Sequence, residues 1–238
     1  MALHYDGEVK ITKVAGMSAM MNNGYLITCP ETNECILIDT PGEPEKLLGA
    51  ITDENIKAIL ITHNHGDHLA GFGEITGKVD APVGISPADA HALPRPPEID
   101  LTDGKVIKFG NQELHVLNTP GHTDGASCFL VGKHLFSGDT LFPGGPGKSR
   151  SPEAFVQLLN SITTKLLPLS DDTAVYPGHG DDTTIGEARR RHADFSSRPH
   201  PVDPPGDVAL LKSYGKGVHS GGRVDTGGLG STYTTHGT

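Results

Sequence analysis

The stretch Thr62-His63-Asn64-His65-Gly66-Asp67-His68 brings three imidazoles and one carboxylate into a single short loop. Imidazole nitrogens and carboxylate oxygens are the usual protein ligands of zinc and similar divalent ions, and catalytic sites keep one coordination position open. A loop this dense in ligands can serve two ions. A chain with thirteen histidines will sometimes group a few as polar loop residues. Here, however, the apolar run Ile59-Leu60-Ile61 leads straight into the group and Leu69 follows it. The ligands therefore sit where a buried strand ends and a helix begins. Open α/β sheets place their active sites at such carboxyl ends of strands. Gly66 is expected to let the backbone turn tightly enough for its neighbours to converge.

Three later segments extend the set. Asn118-Thr119-Pro120-Gly121-His122-Thr123 offers His122, Ser137-Gly138-Asp139-Thr140 offers Asp139, and Tyr176-Pro177-Gly178-His179-Gly180 offers His179. Each alone reads as an ordinary loop residue. Each nonetheless follows a strand-like segment, and together with the first loop they supply five histidines and two carboxylates. That is enough for two adjacent metal positions sharing a carboxylate.

The elements that must position these residues are legible in outline. Strands are expected at Val9 to Val14, Asn22 to Cys29 and Cys35 to Asp39, with turn signals between them. A helix from Pro44 to about Ile51, the strand Ala58 to Thr62 and a short helix from Leu69 to Ile75 follow. A second strand set runs through Val106 to Phe109, Glu113 to Asn118, Ser127 to Val131 and Leu135 to Ser137, punctuated by Gly110-Asn111 and Gly132-Lys133. Ser151-Pro152 opens an amphipathic helix through Leu158, Leu159, Ile162 and Leu166. Thr173 to Tyr176 forms a last strand, and Thr184 with Glu187 makes a capping box for a final helix.

At 238 residues the chain suits one sizeable domain, placed at residues 1–195. Residues 196–238 are rich in proline and glycine and read as a mobile or loosely docked tail. A net charge of −10 disfavours broad contact with nucleic acid or anionic membrane. Neither a signal peptide nor a membrane-spanning stretch is read from the sequence, so the expected address is the cytoplasm. Cys29, Cys35 and Cys128 lack the count and spacing of a disulfide framework or zinc finger and read as reduced, partly buried thiols, the first two able to face each other across a hairpin.

The motifs His63-x-His65-x-Asp67-His68, Thr119-Pro-Gly-His122-Thr, Ser137-Gly-Asp139-Thr-Leu-Phe and Pro177-Gly-His179, in this order, resemble those of the metallo-β-lactamase-fold hydrolases, and within them the glyoxalase II group. The resemblance runs from about Gly7 to Phe195. It implies an α/β fold, the αββα four-layer sandwich. It further implies that His63, His65 and His122 hold one divalent ion, that Asp67, His68 and His179 hold a second, and that Asp139 bridges them. Zinc is the expected metal, with iron or manganese tolerated. Asp67 and Asp139 become the catalytic carboxylates, and hydrolysis is expected through a hydroxide held between the ions, because such cations lower the pKa of water from about 15.7 toward 7. An aspartate at 139, where β-lactamases of the family carry cysteine, disfavours antibiotic hydrolysis.

By the same resemblance the segment Asp139 to Lys148 is similar to the one whose lysine binds the glycine carboxylate of glutathione. Lys148 and Arg150 are thus the candidate substrate-binding residues. Arg150 and Asp181 stand where that group has tyrosines, and the tail, with Lys212, Lys216 and Arg223, stands in place of a helical domain. The expected activity is a thioesterase acting on a small hydroxyacylglutathione-like substrate. A different thiol carrier, a lactone or simple ester, or a mononuclear Fe(II) persulfide dioxygenase-like reaction remains an alternative. Oligomeric state is left open.

Overall fold

The computed structural model describes residues 2–197. The expected tail and its Lys212, Lys216 and Arg223 lie outside them.

Seven strands form the first sheet in sequence order: β1 (Ala2–Asp6), β2 (Lys10–Met17), β3 (Asn22–Thr28), β4 (Glu34–Ile38), β5 (Asn55–Leu60), β6 (Val83–Ile85) and β7 (Ile99–Asp100). The first four pair antiparallel as a meander, and β4 through β7 pair parallel. Its partner contains β8 (Val106–Phe109), β9 (Gln112–Asn118), β10 (Ser127–Val131) and β11 (His134–Gly138). A small hairpin of β12 (Leu141–Phe142) and β13 (Gly145–Pro146) follows, and then β14 (Ala174–Pro177) and β15 (Thr183–Thr184) complete the second sheet in the order β15-β14-β11-β10-β9-β8.

Alternation of side chains along the strands builds the layers. On β4, Ile36 and Ile38 face the second sheet, where they meet Phe109, Phe129, Phe136 and Tyr176. Cys35 and Leu37 face the other way and join Leu47, Phe72 and Ile75 in the layer formed by α1 (Pro44–Leu48), α2 (Gly66–Leu69) and α3 (Phe72–Lys78). On the far side, Cys128, Leu135 and Val175 pack under α4 (Pro152–Ser161), its π-helical continuation Ile162–Leu166, and α5 (Ile185–Ser196). The result is helix, sheet, sheet, helix. Both expected N-caps form: Ser151 accepts from the Ala154 amide and Thr184 from the Glu187 amide. The Glu187 carboxylate pairs with Arg190 and Arg191.

Several expectations need correction. The chain pairs from Ala2, not Val9, and β6 and β7 are too short to show a period. The helix expected over Leu69 to Ile75 is two helices, because the chain passes tightly over Thr40-Pro41 at Gly71. A Cβ there would lie 2.3 Å from the Pro41 carbonyl oxygen. Cys29 and Cys35 do not face each other; they belong to opposite faces of the sheet. All three thiols are free and fully buried.

Candidate metal centre

The four segments that carry candidate ligands leave the sheets at one edge. His63 and His65 follow β5, Asp67 and His68 lie on α2, His122 sits between β9 and β10, Asp139 follows β11, and His179 follows β14. Main-chain bonds stitch these exits together. Ser127 N donates to Thr62 O at 2.9 Å, Gly178 N to Gly138 O at 2.9 Å, and Asn23 N to Gly178 O at 2.7 Å. The Gly178–Gly138 bond continues the pairing of β11 with β14, and the other two cross between the sheets, so together they set the spacing of the loops.

Hydrogen bonds behind the rings decide which nitrogen of each histidine is offered. His68 Nδ1 donates to Asp39 Oδ2 at 2.8 Å, His122 Nδ1 to Lys148 O at 2.6 Å, and His179 Nδ1 to Met20 O at 2.9 Å. Thr62 Oγ1 gives its proton to Asp39 and so accepts from His63 Nδ1 at 3.0 Å. In the neutral form of each of these four rings the lone pair falls on Nε2. These lone pairs converge: His68 Nε2 lies 3.1 Å from His179 Nε2, while His65 Nδ1 lies 3.1 Å from His63 Nε2 and 2.9 Å from His122 Nε2. Two neutral imidazoles facing each other in this way repel unless a proton or a cation stands between them.

Carboxylates complete the arrangement. Asp139 Oδ1 is 3.4 Å from His68 Nε2, and its Oδ2 is 3.7 Å from His122 Nε2 and 3.4 Å from His179 Nε2. Asp67 Oδ2 lies 3.3 Å from His179 Nε2 and 3.7 Å from His68 Nε2. Ligands about 2.0–2.2 Å from a tetrahedral ion are separated by roughly 3.3–3.6 Å, so these spacings fit. In each of three groups, His63 with His65 and His122, His63 with His68 and Asp139, and Asp67 with His68 and His179, the ligand atoms lie within 4.8 Å of one another. Buried Asp139 Oδ1 has no hydrogen-bond partner, which is what an oxygen reserved for a cation looks like.

The electrostatics agree. Burial opposes a charge on His68, yet Asp39 beside it, helped by Asp139, raises its pKa to about 10. His179 is likewise raised against burial, through its bond to Asp139. Burial resists ionisation of Asp139 too, but His179 and His68 hold its carboxyl far below the usual range. In contrast, burial and the neighbouring imidazoles push His63 and His122 down. Asp39 and Asp139 thus favour positive charge at His68 and His179, and burial disfavours it at His63 and His122.

All seven expected ligands thus come together. Lys148 and Arg150 are exposed, on the segment after β13. Arg150 Nη2 reaches both oxygens of Asp124 at 2.6 and 2.7 Å. Asp181 is exposed. Gly66 corrects the expectation placed on it: its φ is not among the positive values, and a Cβ would meet nothing within 4 Å. A glycine that the site does require is Gly178, where a Cβ would lie 2.4 Å from Asp139 Oδ1.

Residues that sequence reasoning missed hold the candidate ligands in place. Asp39, 1% exposed at the end of β4, accepts from Thr62 N at 2.8 Å as well as from His68. Asn22, fully buried, donates from Nδ2 to Asp67 Oδ2 at 2.8 Å, and its Oδ1 accepts from Ser18 Oγ at 2.7 Å. The only sequence signal for Asp39 is an acidic residue ending an apolar strand.

The family model of the metallo-beta-lactamase superfamily matches residues 18–179, which include all seven candidate ligands. The chain belongs to the metallo-beta-lactamase superfamily. It is a metal-dependent hydrolase of that superfamily, and it is 33% identical over 209 residues to hydroxyacylglutathione hydrolase GloC of Haemophilus influenzae, covering 78% of this chain and 98% of that one. Among solved structures it resembles TTHA1623 in a di-iron-bound form (34% identity, TM-score 0.63, 75% of this chain and 97% of that one). It also resembles ETHE1 from Myxococcus xanthus (26% identity, TM-score 0.68, 85% and 97%). Among the described residues, no helix is long and apolar enough to cross a membrane.

Proposed function

We propose that this superfamily member is a dinuclear thioesterase that hydrolyses a small acyl-thiol, hydroxyacylglutathione-like substrate. In this reading His63, His65 and His122 hold one ion, Asp67, His68 and His179 the other, and Asp139 lies between them. The observation that carries it is the convergence of imidazole nitrogens on Asp139, whose Oδ1 faces His68 and has no hydrogen-bond partner and whose Oδ2 faces His122 and His179. Zinc suits a set of nitrogen and carboxylate ligands, and iron or manganese can take the same donors. Kinship with GloC along almost its whole length supports the thioester, and the di-iron neighbour supports two ions.

Two bound cations would lower the pKa of water from about 15.7 toward 7 and polarise the thioester carbonyl. The chain's own residues supply the rest. Asn22 holds Asp67 in its ligating pose, and Asp39 holds His68 with its Nε2 turned inward. His65 is the exposed ligand, so substrate enters on its side. Lys148 lies beside His122 through its own carbonyl, and its ammonium is assigned to a carboxylate of the thiol carrier, with Arg150 nearby. Residues 1–195 form the catalytic domain in this reading.

The likeness to ETHE1 favours a second reading, a mononuclear Fe(II) persulfide dioxygenase-like enzyme. Elemental analysis of protein purified without added metal, with a panel of thioesters, lactones and a persulfide, separates the two. Two ions per chain and thioester turnover support hydrolysis. One iron with oxygen uptake overturns it.

A further inference from the structure

The seven ligands leave one buried carboxylate near the site without an assigned role. Asp89 is fully buried, in the connection between β6 and β7, which contributes none of the seven. Its Oδ2 accepts from Asn64 N at 3.0 Å and from Thr123 Oγ1 at 2.6 Å, and its Oδ1 accepts from Gly125 N at 2.9 Å. Asn64 lies between His63 and His65, and Thr123 follows His122 directly. One side chain therefore ties the main chain between two ligands to the loop of the third. The packing is close: a Cβ on Gly125 would sit 2.6 Å from Asp89 Cγ.

Resting on the two-ion reading above, we infer that Asp89 is the positioning residue of the ion held by His63, His65 and His122, and that the other ion is independent of it. The second set has its own anchors, Asp39 behind His68, Asn22 on Asp67 and Met20 O behind His179. Asp89 touches none of those three ligands in any hydrogen bond among the described residues. His65 gives the inference its physical weight. It is exposed, and neither of its ring nitrogens has an anchoring partner outside the histidine cluster among the described residues. Its pose depends on the backbone of its loop, and Asp89 holds that backbone at Asn64.

Asp89→Asn keeps the shape but turns one acceptor into a donor that faces an N–H or a hydroxyl. Loss of an outer partner of a ligand costs about 10–100-fold in metal affinity. The test uses the full chain in two backgrounds, with zinc affinity measured by chelator competition. His179→Ala leaves the first position, and His122→Ala leaves the second. Asp89→Asn should weaken zinc binding about 10–100-fold in the His179→Ala background and by no more than about two-fold in the His122→Ala background. Thr123→Val removes one of the three bonds and should show the same selectivity at smaller size; it decides the matter if Asp89→Asn does not fold. Equal weakening in both backgrounds, or none in the first, overturns the inference while leaving the two-ion reading intact. A parent chain that binds fewer than two zinc ions overturns that reading itself.

Discussion

The carbonyl oxygen of Lys148 accepts the Nδ1 proton of His122 at 2.6 Å, so the segment bearing the lysine is fastened to a candidate ligand imidazole by its backbone. The side chain and the main chain of one residue are thereby given separate tasks. Lys148→Ala keeps the carbonyl and should leave metal content unchanged. Loss of a charge-assisted contact is worth about 1.5–3 kcal/mol, hence roughly ten-fold or more in kcat/KM for a carboxylate-bearing thioester. A small neutral ester should respond little. Steady-state kinetics on both substrates with parallel metal analysis checks this, and equal losses for both would remove the assigned role.

Asp139 faces His68 with one oxygen and His122 and His179 with the other. Replacing it by alanine should weaken both ions, and hydrolysis should fall with them. Metal content after exhaustive dialysis is the measurement. Asp139→Ala protein that holds two ions at full rate would exclude a shared carboxylate.

Gly178 is required for space. An added methyl would lie 2.4 Å from Asp139 Oδ1 and 2.6 Å from His68 Cε1. Gly178→Ala should cost about 1–3 kcal/mol of stability through overpacking and should shed the ion at His68 and His179 first. Gly66→Ala, on a helix with open space around it, should leave Tm and metal content close to those of the parent. Thermal unfolding and metal analysis of the two variants make the comparison.

Acid should empty the two positions in order. Before a cation binds, His68 titrates near 10 and His179 is also raised, whereas His63 and His122 are lowered. A raised pKa means that protons compete with metal from a higher pH downward; a lowered one postpones that competition. As pH falls from about 8 to 5, the ion at Asp67, His68 and His179 should therefore leave before the one at His63, His65 and His122. Metal content at stepped pH, with His179→Ala as the one-ion reference, reads the order. Loss of both ions in a single step would contradict it.

The candidate ligands were legible in the chain because their chemistry is rare and local. Histidines and an aspartate packed into Thr62 to His68, and single ligands in glycine-flanked turns after apolar runs, point to metal ligation and to little else. The strands that carry them were legible for the same reason, since alternation along β8 and β9 and the short apolar runs of β5, β10 and β11 span only neighbouring residues. What tertiary structure alone decided is the set of partners behind the ligands. Asp39 is 29 residues from His68, Asn22 is 45 from Asp67, and Asp89 is 34 from Thr123. Each is a common polar residue in an ordinary stretch, and its role exists only where separate loops meet. Which imidazole nitrogen points inward, and that Cys29 and Cys35 lie on opposite faces of one sheet, follow from strand register. Register is a property of pairing between distant segments, and no short stretch of sequence contains it.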